Sequence, residues 1–186
     1  MRNSIAKAAA FSLIAGAMIL PAVPASAATT NASSVAVKAA DEPFAAFSVK
    51  VKAPKTAKAG GKLNYVVTGV NKGPYSADAW FVGGEFPKGV DLRKVRYRTS
   101  VPGTECSLDG RALFCLLPTV LEKGDAFTMV FETRLKKNAK GVQKAILGVA
   151  SFDVQQGMEG LDKEELERIG VPSHAYAKLV KTKVVR

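Results

Sequence analysis

Histidine and cysteine are nearly missing from this chain: its 186 residues include one histidine, His174, and two cysteines, Cys106 and Cys115. Nucleophilic catalysis of the serine–histidine or cysteine–histidine kind needs a histidine base beside a free nucleophile. A zinc centre needs four ligands drawn mostly from the same two residue types. Neither can be assembled from this set. Acidic residues are also scarce, 16 Asp plus Glu against 27 Lys plus Arg, for a net charge of +11. No D-x-D-x-D-G spacing marks a calcium loop, and Asp153, Glu159 and Asp162 are too scattered to propose as one. Glu164, Glu165 and Glu167 fall in the first turn or two of a short helical stretch, where the helix dipole accounts for them better than glycoside hydrolysis does. These scarcities argue against an enzyme, a metal and a cofactor.

Long apolar runs are confined to the beginning. Arg2 and Lys7 precede an apolar stretch from Ala8 to Leu20, Pro21 and Pro24 break it, and Ala25-Ser26-Ala27 is an A-x-A cleavage signal. Residues 1–27 therefore read as a secretory signal peptide, too short in its apolar part to cross a bilayer. No later stretch is apolar enough to span a membrane. Residues 28–43, built of Ala, Ser, Thr and Asn, read as a flexible linker. Loss of Arg2 and Lys7 with the leader lowers the charge from +11 to +9. An exported protein this basic has wall polymers, phospholipid head groups or acidic glycans as its expected partners, with no nucleic acid, unless the charge serves only solubility. Export also makes a disulfide between Cys106 and Cys115 the expected state of the two thiols.

Residues 44–186 read as one β domain. Phe47, Val49 and Val51 alternate with Ser48, Lys50 and Lys52, the period of a half-buried strand. Leu63, Tyr65 and Val67 repeat the pattern between a Gly60-Gly61 turn and the turn Asn71-Lys72-Gly73-Pro74, with Gly69 marking a bulge or a close backbone approach. Trp80, Val82 and Phe86 share a parity that assigns Trp80 to the core rather than to a sugar-stacking surface. A strand over Val90 to Arg98 is expected to turn Arg96 and Arg98 outward and Val95 and Tyr97 inward. Asp109-Gly110 predicts a tight hairpin, but a two-residue turn there sets Cys106 opposite Leu113, so the expected bridge requires a longer or bulged loop. Phe127, Met129, Phe131 and Leu135 line a strand with Glu132 and Arg134 on its other face, and small apolar residues from Ala145 to Val154 form the next. Asp162 predicts a helix N-cap, with Glu165 completing a capping box, Leu161 and Leu166 a hydrophobic staple, and Gly170 and Pro172 the stop. His174 is expected in a solvated loop before a last strand over Ala175 to Val185. Seven or eight strands with one late helix indicate an all-β, immunoglobulin-like sandwich, with a closed barrel as the other architecture.

The run Leu63-Asn64-Tyr65-Val66-Val67-Thr68-Gly69-Val70-Asn71-Lys72-Gly73-Pro74, followed by Ala77, Trp80, Val82 and Phe86-Pro87-Lys88-Gly89-Val90, resembles the bacterial immunoglobulin-like surface repeat known as domain of unknown function 11. The resemblance extends through Cys106, Cys115, Leu121 and Gly124 and covers roughly residues 44 to 186. It implies an extracellular or wall-associated sandwich and is nearly silent about chemistry. This chain differs in carrying a single copy, in having Gly84 where the family usually has Asp, and in replacing an Asp- and Asn-rich loop with Gln155 to Ser173, which removes carboxylates that would suit calcium.

The chemical feature left is charge. Lys50 and Lys52 point outward on the first strand, Lys181 and Lys183 on the last. If those strands lie side by side the four form one stripe, with Lys55 and Lys58 nearby, suited to a polyanion. The expected function is a secreted or surface-associated, non-enzymatic binding or structural module contacting an anionic wall polymer, a glycan or a surface protein. The alternatives are a carrier of a small apolar ligand between the sheets and a secreted hydrolase.

Overall fold

The computed structural model of the protein describes residues 44–185; the expected signal peptide (1–27) and linker (28–43) lie outside the described residues. The chain runs through β1 (Phe47–Lys52), β2 (Thr56–Lys58), β3 (Lys62–Asn71), β4 (Ala79–Glu85), a single 3-10 turn (Leu92–Lys94) and β5 (Arg96–Thr99). It continues through β6 (Glu105–Asp109), β7 (Ala112–Leu116), β8 (Ala126–Arg134), β9 (Val142–Phe152), α1 (Lys163–Arg168) and β10 (Ser173–Val185). Two sheets form, ordered β1-β3-β8-β5 and β2-β10-β9-β4-β7-β6. The first has the A-B-E-D order of the immunoglobulin sandwich, and β10-β9-β4 has its G-F-C order, with β2 and the β6–β7 hairpin added at the two edges. The sandwich is therefore open, not a closed barrel.

Ten strands form where seven or eight were expected. The alternation of β1 ends at Ala53-Pro54, where the chain leaves one sheet for the other. There the Thr182 hydroxyl donates to the Pro54 carbonyl (2.7 Å) and β2 pairs in parallel with the end of β10. The expected strand over Val90 to Arg98 breaks because the Asp91 side chain accepts from the Arg93 N–H (3.3 Å), capping the 3-10 turn. Only Arg96–Thr99 continues as strand. Arg96 and Arg98 face out and Tyr97 shares the inward parity of Phe131 across the ladder, as expected, but on the edge strand Tyr97 stays partly exposed, its hydroxyl donating to the Thr104 carbonyl (2.8 Å).

Inward parity fills the space between the sheets. Trp80, Tyr65, Phe86, Phe131, Leu63 and Met129 are fully buried. Their rings pack edge to face, Tyr65 on Phe86 at 5.6 Å and Phe86 on Phe131 at 5.4 Å between centroids. Trp80 donates its indole N–H to the Thr119 carbonyl (2.8 Å) and packs on Phe127 (4.9 Å). Gly69 is the close approach its position suggested: a Cβ there would lie 2.4 Å from the Phe127 ring directly across the ladder. Asn71 is a buried pin, its amide donating to Tyr75 and Leu121 carbonyls (2.8 and 2.9 Å) while its oxygen accepts from Gly73 N–H (3.0 Å).

β4 is buried on both faces. Its outward residues Ala79 and Phe81 join Phe152 and Leu166 in a second, smaller core, because α1 lies across the outer face of the six-stranded sheet. Asp162 caps α1 as expected (2.7 Å to Glu165 N–H), but Glu165 turns to Arg168 instead of completing the box. At the other end Val171 N–H reaches Leu166 O (3.0 Å) and Gly170 N–H reaches Glu167 O (3.1 Å), a Schellman stop with Gly170 at φ +76°.

Candidate surface sites

The cysteines do pair, and without a longer loop. The β6–β7 ladder matches Asp109 with Ala112, Leu108 with Leu113 and Cys106 with Cys115. The turn is Gly110-Arg111, one residue later than Asp109-Gly110, with Gly110 at φ +55°. That single shift of register sets the two sulfurs face to face, bonded, with Cα atoms 3.9 Å apart. Arg111 explains the shift. Its guanidinium donates to the carbonyls of Phe86 (3.0 Å), Pro87 and Val90 (3.4 Å), which fixes it at the turn and ties the hairpin to the end of β4.

His174 lies not in a loop but in β10, half-buried, with Nε2 3.3 Å from the Asp153 carboxylate. Ser151 is directly across the ladder, yet its hydroxyl donates to the Ala45 carbonyl (3.5 Å), away from the imidazole. The Tyr176 hydroxyl also donates to Ala45 (3.1 Å), and its proton is held above the ordinary phenol range by burial first and by Asp153 second. The cluster thus secures the start of the domain and offers no aligned nucleophile. Among the described residues no three His, Cys, Asp or Glu side chains gather closely enough to hold a metal ion, and no helix is long and apolar enough to cross a membrane.

The first and last strands do lie side by side, Phe47 of β1 packing on Tyr176 of β10, but they belong to different sheets, so the lysines expected as one stripe project from two different outer faces. Lys50 and Lys52 project from the outer face of the four-stranded sheet. Lys181 and Lys183 project from the outer face of the six-stranded sheet, with Lys55 and Lys58 beside them: Lys183 N–H donates to the Lys55 carbonyl (2.9 Å), and Val185 pairs with Lys58.

The four-stranded face is far more basic than Lys50 and Lys52 alone suggest. Its rows, read from β1 to β5, are Lys52–Val66–Val130–Arg98, then Asn64–Glu132–Arg96, then Lys62–Arg134. Arg93 and Lys94 of the 3-10 turn border the same end, around a cleft of about 520 Å³ lined also by Lys62, Asn64, Arg96 and Arg134. The only carboxylate on these rows is Glu132, bound to Arg98 at 2.7 Å; Asp91, beside the turn, faces Lys94 at 3.6 Å. With strands about 4.8 Å apart, Lys52 and Arg98 stand about 14 Å from each other across a floor of Val and Thr side chains. Sequence parity shows Arg96, Arg98 and Arg134 facing outward. What it does not show is that β5 and β8 join β1 and β3 in one sheet.

No family model matches the chain, and no curated protein matches it. Solved structures similar to it include AvmM, which catalyses macrocyclization in alchivemycin A biosynthesis (10% identity, TM-score 0.48, covering 77% of this chain and 90% of that one). Others are the major pilin subunit BcpA of Bacillus cereus (7%, TM-score 0.46, 74% and 41%) and a non-cellulosomal cohesin of Archaeoglobus fulgidus (12%, TM-score 0.43, 74% and 91%). These are likenesses of fold, and a fold of this kind does not assign a chemistry.

Proposed function

We propose that the protein is an exported, non-enzymatic module of the bacterial cell surface, a single-copy relative of the immunoglobulin-like surface repeat, that holds an anionic wall or surface polymer. The outer face of the four-stranded sheet carries this reading. Lys50, Lys52, Lys62, Arg96 and Arg134 stand among uncharged Val, Thr and Asn side chains with one carboxylate among them, already taken by Arg98. Cations fixed on a rigid sheet attract a repeating anion along its length without closing around it, and screening sets the affinity. The disulfide supports export, since such bonds persist in oxidising compartments. The aromatic core occupies the space where a carried apolar ligand would sit.

Binding to isolated bacterial wall, followed as a function of salt, tests the reading. Retention should weaken steeply as salt rises, and the pair Lys52→Glu and Arg96→Glu should weaken it by about tenfold or more at low salt. The pair Lys55→Glu and Lys58→Glu, on the other sheet, should do much less. Salt-independent retention, or equal loss from the two pairs, overturns it.

A further inference from the structure

The outer face of the six-stranded sheet is unlike its counterpart. Along the strands it divides into two halves. One half is covered by α1, which packs on Phe81, Phe152 and Phe114. The other half is bare and carries a strip of exposed apolar and basic side chains: Val142 and Ile146 of β9 and Leu179 of β10 are 54%, 47% and 53% exposed, and Leu179 lies directly across from Ile146. Between Val142 and Ile146, Lys144 sits directly opposite Lys181, and Lys183 lies opposite Val142. Like charges facing each other across a ladder repel, and among the described residues neither Lys144 nor Lys181 has a carboxylate within 4.0 Å. Glu85, across from Ile146 on β4, is an acidic border on the far side. A strip in which exposed apolar side chains alternate with unneutralised amines fits an occupant that is itself apolar and acidic.

The chain carries such an occupant on the same face. From Asp153 to Arg168 six carboxylates stand against two cations. α1 rises from the sheet with Glu164 and Glu167 exposed, and Ile169 at its end is 44% exposed. Glu167 is engaged by Lys163 (2.7 Å) and Glu165 by Arg168 (3.4 Å), which leaves Glu164 without a cation within 4.0 Å among the described residues.

We propose that two copies of this chain associate through these faces. The helix lies over β4, β7 and the Phe152 end of β9, the strip over β10 and the opposite end of β9. A two-fold axis in the plane between the copies, perpendicular to the line that joins helix and strip, therefore brings each α1 over the other copy's strip. A helix is about 10 Å thick, so the two helices fill the two halves of the gap between the apposed sheets. The contact is self-complementary and closes at two copies. Carboxylates around Glu164 meet Lys144 and Lys181, and Ile169 meets Ile146 and Leu179.

Sedimentation equilibrium of the full-length chain, expressed with its own leader, tests this from about 1 to 100 µM, the range of a modest interface. A reversible dimer is expected that weakens with salt. Ile146→Ser with Leu179→Ser, and separately Lys144→Glu with Lys181→Glu, should each weaken it by about tenfold. Adding Glu164→Lys and Glu167→Lys to the second variant should restore affinity to within about threefold. All six positions except the Lys163 partner Glu167 lack side-chain bonds in the fold, and circular dichroism verifies each variant. A monomer at the highest concentration, a dimer indifferent to both pairs, or failure of the swap to restore it overturns the proposal.

Discussion

Tyr65 sets a phenol in the middle of the sandwich, fully buried against Phe86, and its hydroxyl has no hydrogen-bond partner among the described residues. Burial alone pushes its ionisation well above the ordinary phenol range. Tyr65→Phe removes the desolvated hydroxyl and leaves the ring, so it should raise stability by about 1 kcal/mol in urea denaturation; a loss of that size would reveal a partner for the hydroxyl. The pH dependence has a definite sign. The unfolded chain releases this proton near pH 10, while the folded chain keeps it. Stability is thus intact below about pH 10 and drains away as pH rises through the folded value. Tyr65→Phe should therefore move the alkaline unfolding midpoint upward, leaving the weaker contribution of Tyr176, whose shift has the same direction. At this scale much was legible. Alternation placed Tyr65 and Trp80 inside and Lys50, Lys52, Arg96 and Arg98 outside, because parity is a property of single strands. The place of His174 was not legible, since its partner Asp153 lies across a helix-bearing connection.

The β6–β7 hairpin is the element in which the sequence pattern and the structure part most instructively. The pattern Cys106…Asp109-Gly110…Cys115 sets the cysteines out of register, and one residue of turn placement restores it. What decides the turn is Arg111, whose three carbonyl partners belong to the end of β4 and the loop that follows. A local rule cannot see them. The hairpin is also the sheet's edge, held on one side only. The bridge closes a loop across a sequence separation of 9, and replacing both cysteines with serine should cost about 2.5 to 3 kcal/mol in the chain-entropy account. Denaturant midpoints with and without the bridge measure this. The loss should appear first as faster amide exchange in β6 and β7, with β3 and β8 little changed. α1 shows the opposite case. Its cap, staple and stop all lie within twelve residues, Leu161 to Pro172, and nearly all were readable. Its docking site on Phe81, Phe114 and Phe152 was not, since those residues come from three separate strands.

For the molecule as a whole, the two outer faces divide the work between them. The four-stranded face is basic and polar, while the six-stranded face carries apolar residues interleaved with lysines at one end and is helix-capped at the other. Neither face could be composed from the sequence, because strand order, not strand content, decides which charges become neighbours. If copies join through the six-stranded sheet, the two basic faces point away from each other, on opposite sides of the pair. A polymer long enough to reach both, or two neighbouring polymers, is then held twice, and the second attachment is intramolecular. The chain should therefore bind densely presented polyanion with higher apparent affinity than sparse polyanion, on the order of a hundredfold. Ile146→Ser with Leu179→Ser leaves the basic face untouched, so this variant should keep the sparse-surface affinity and lose the gain on the dense surface. Titration of one immobilised wall polymer at two densities checks both expectations. An equal gain for the variant means that density acts without pairing, and no gain for either protein means that the two basic faces do not act together.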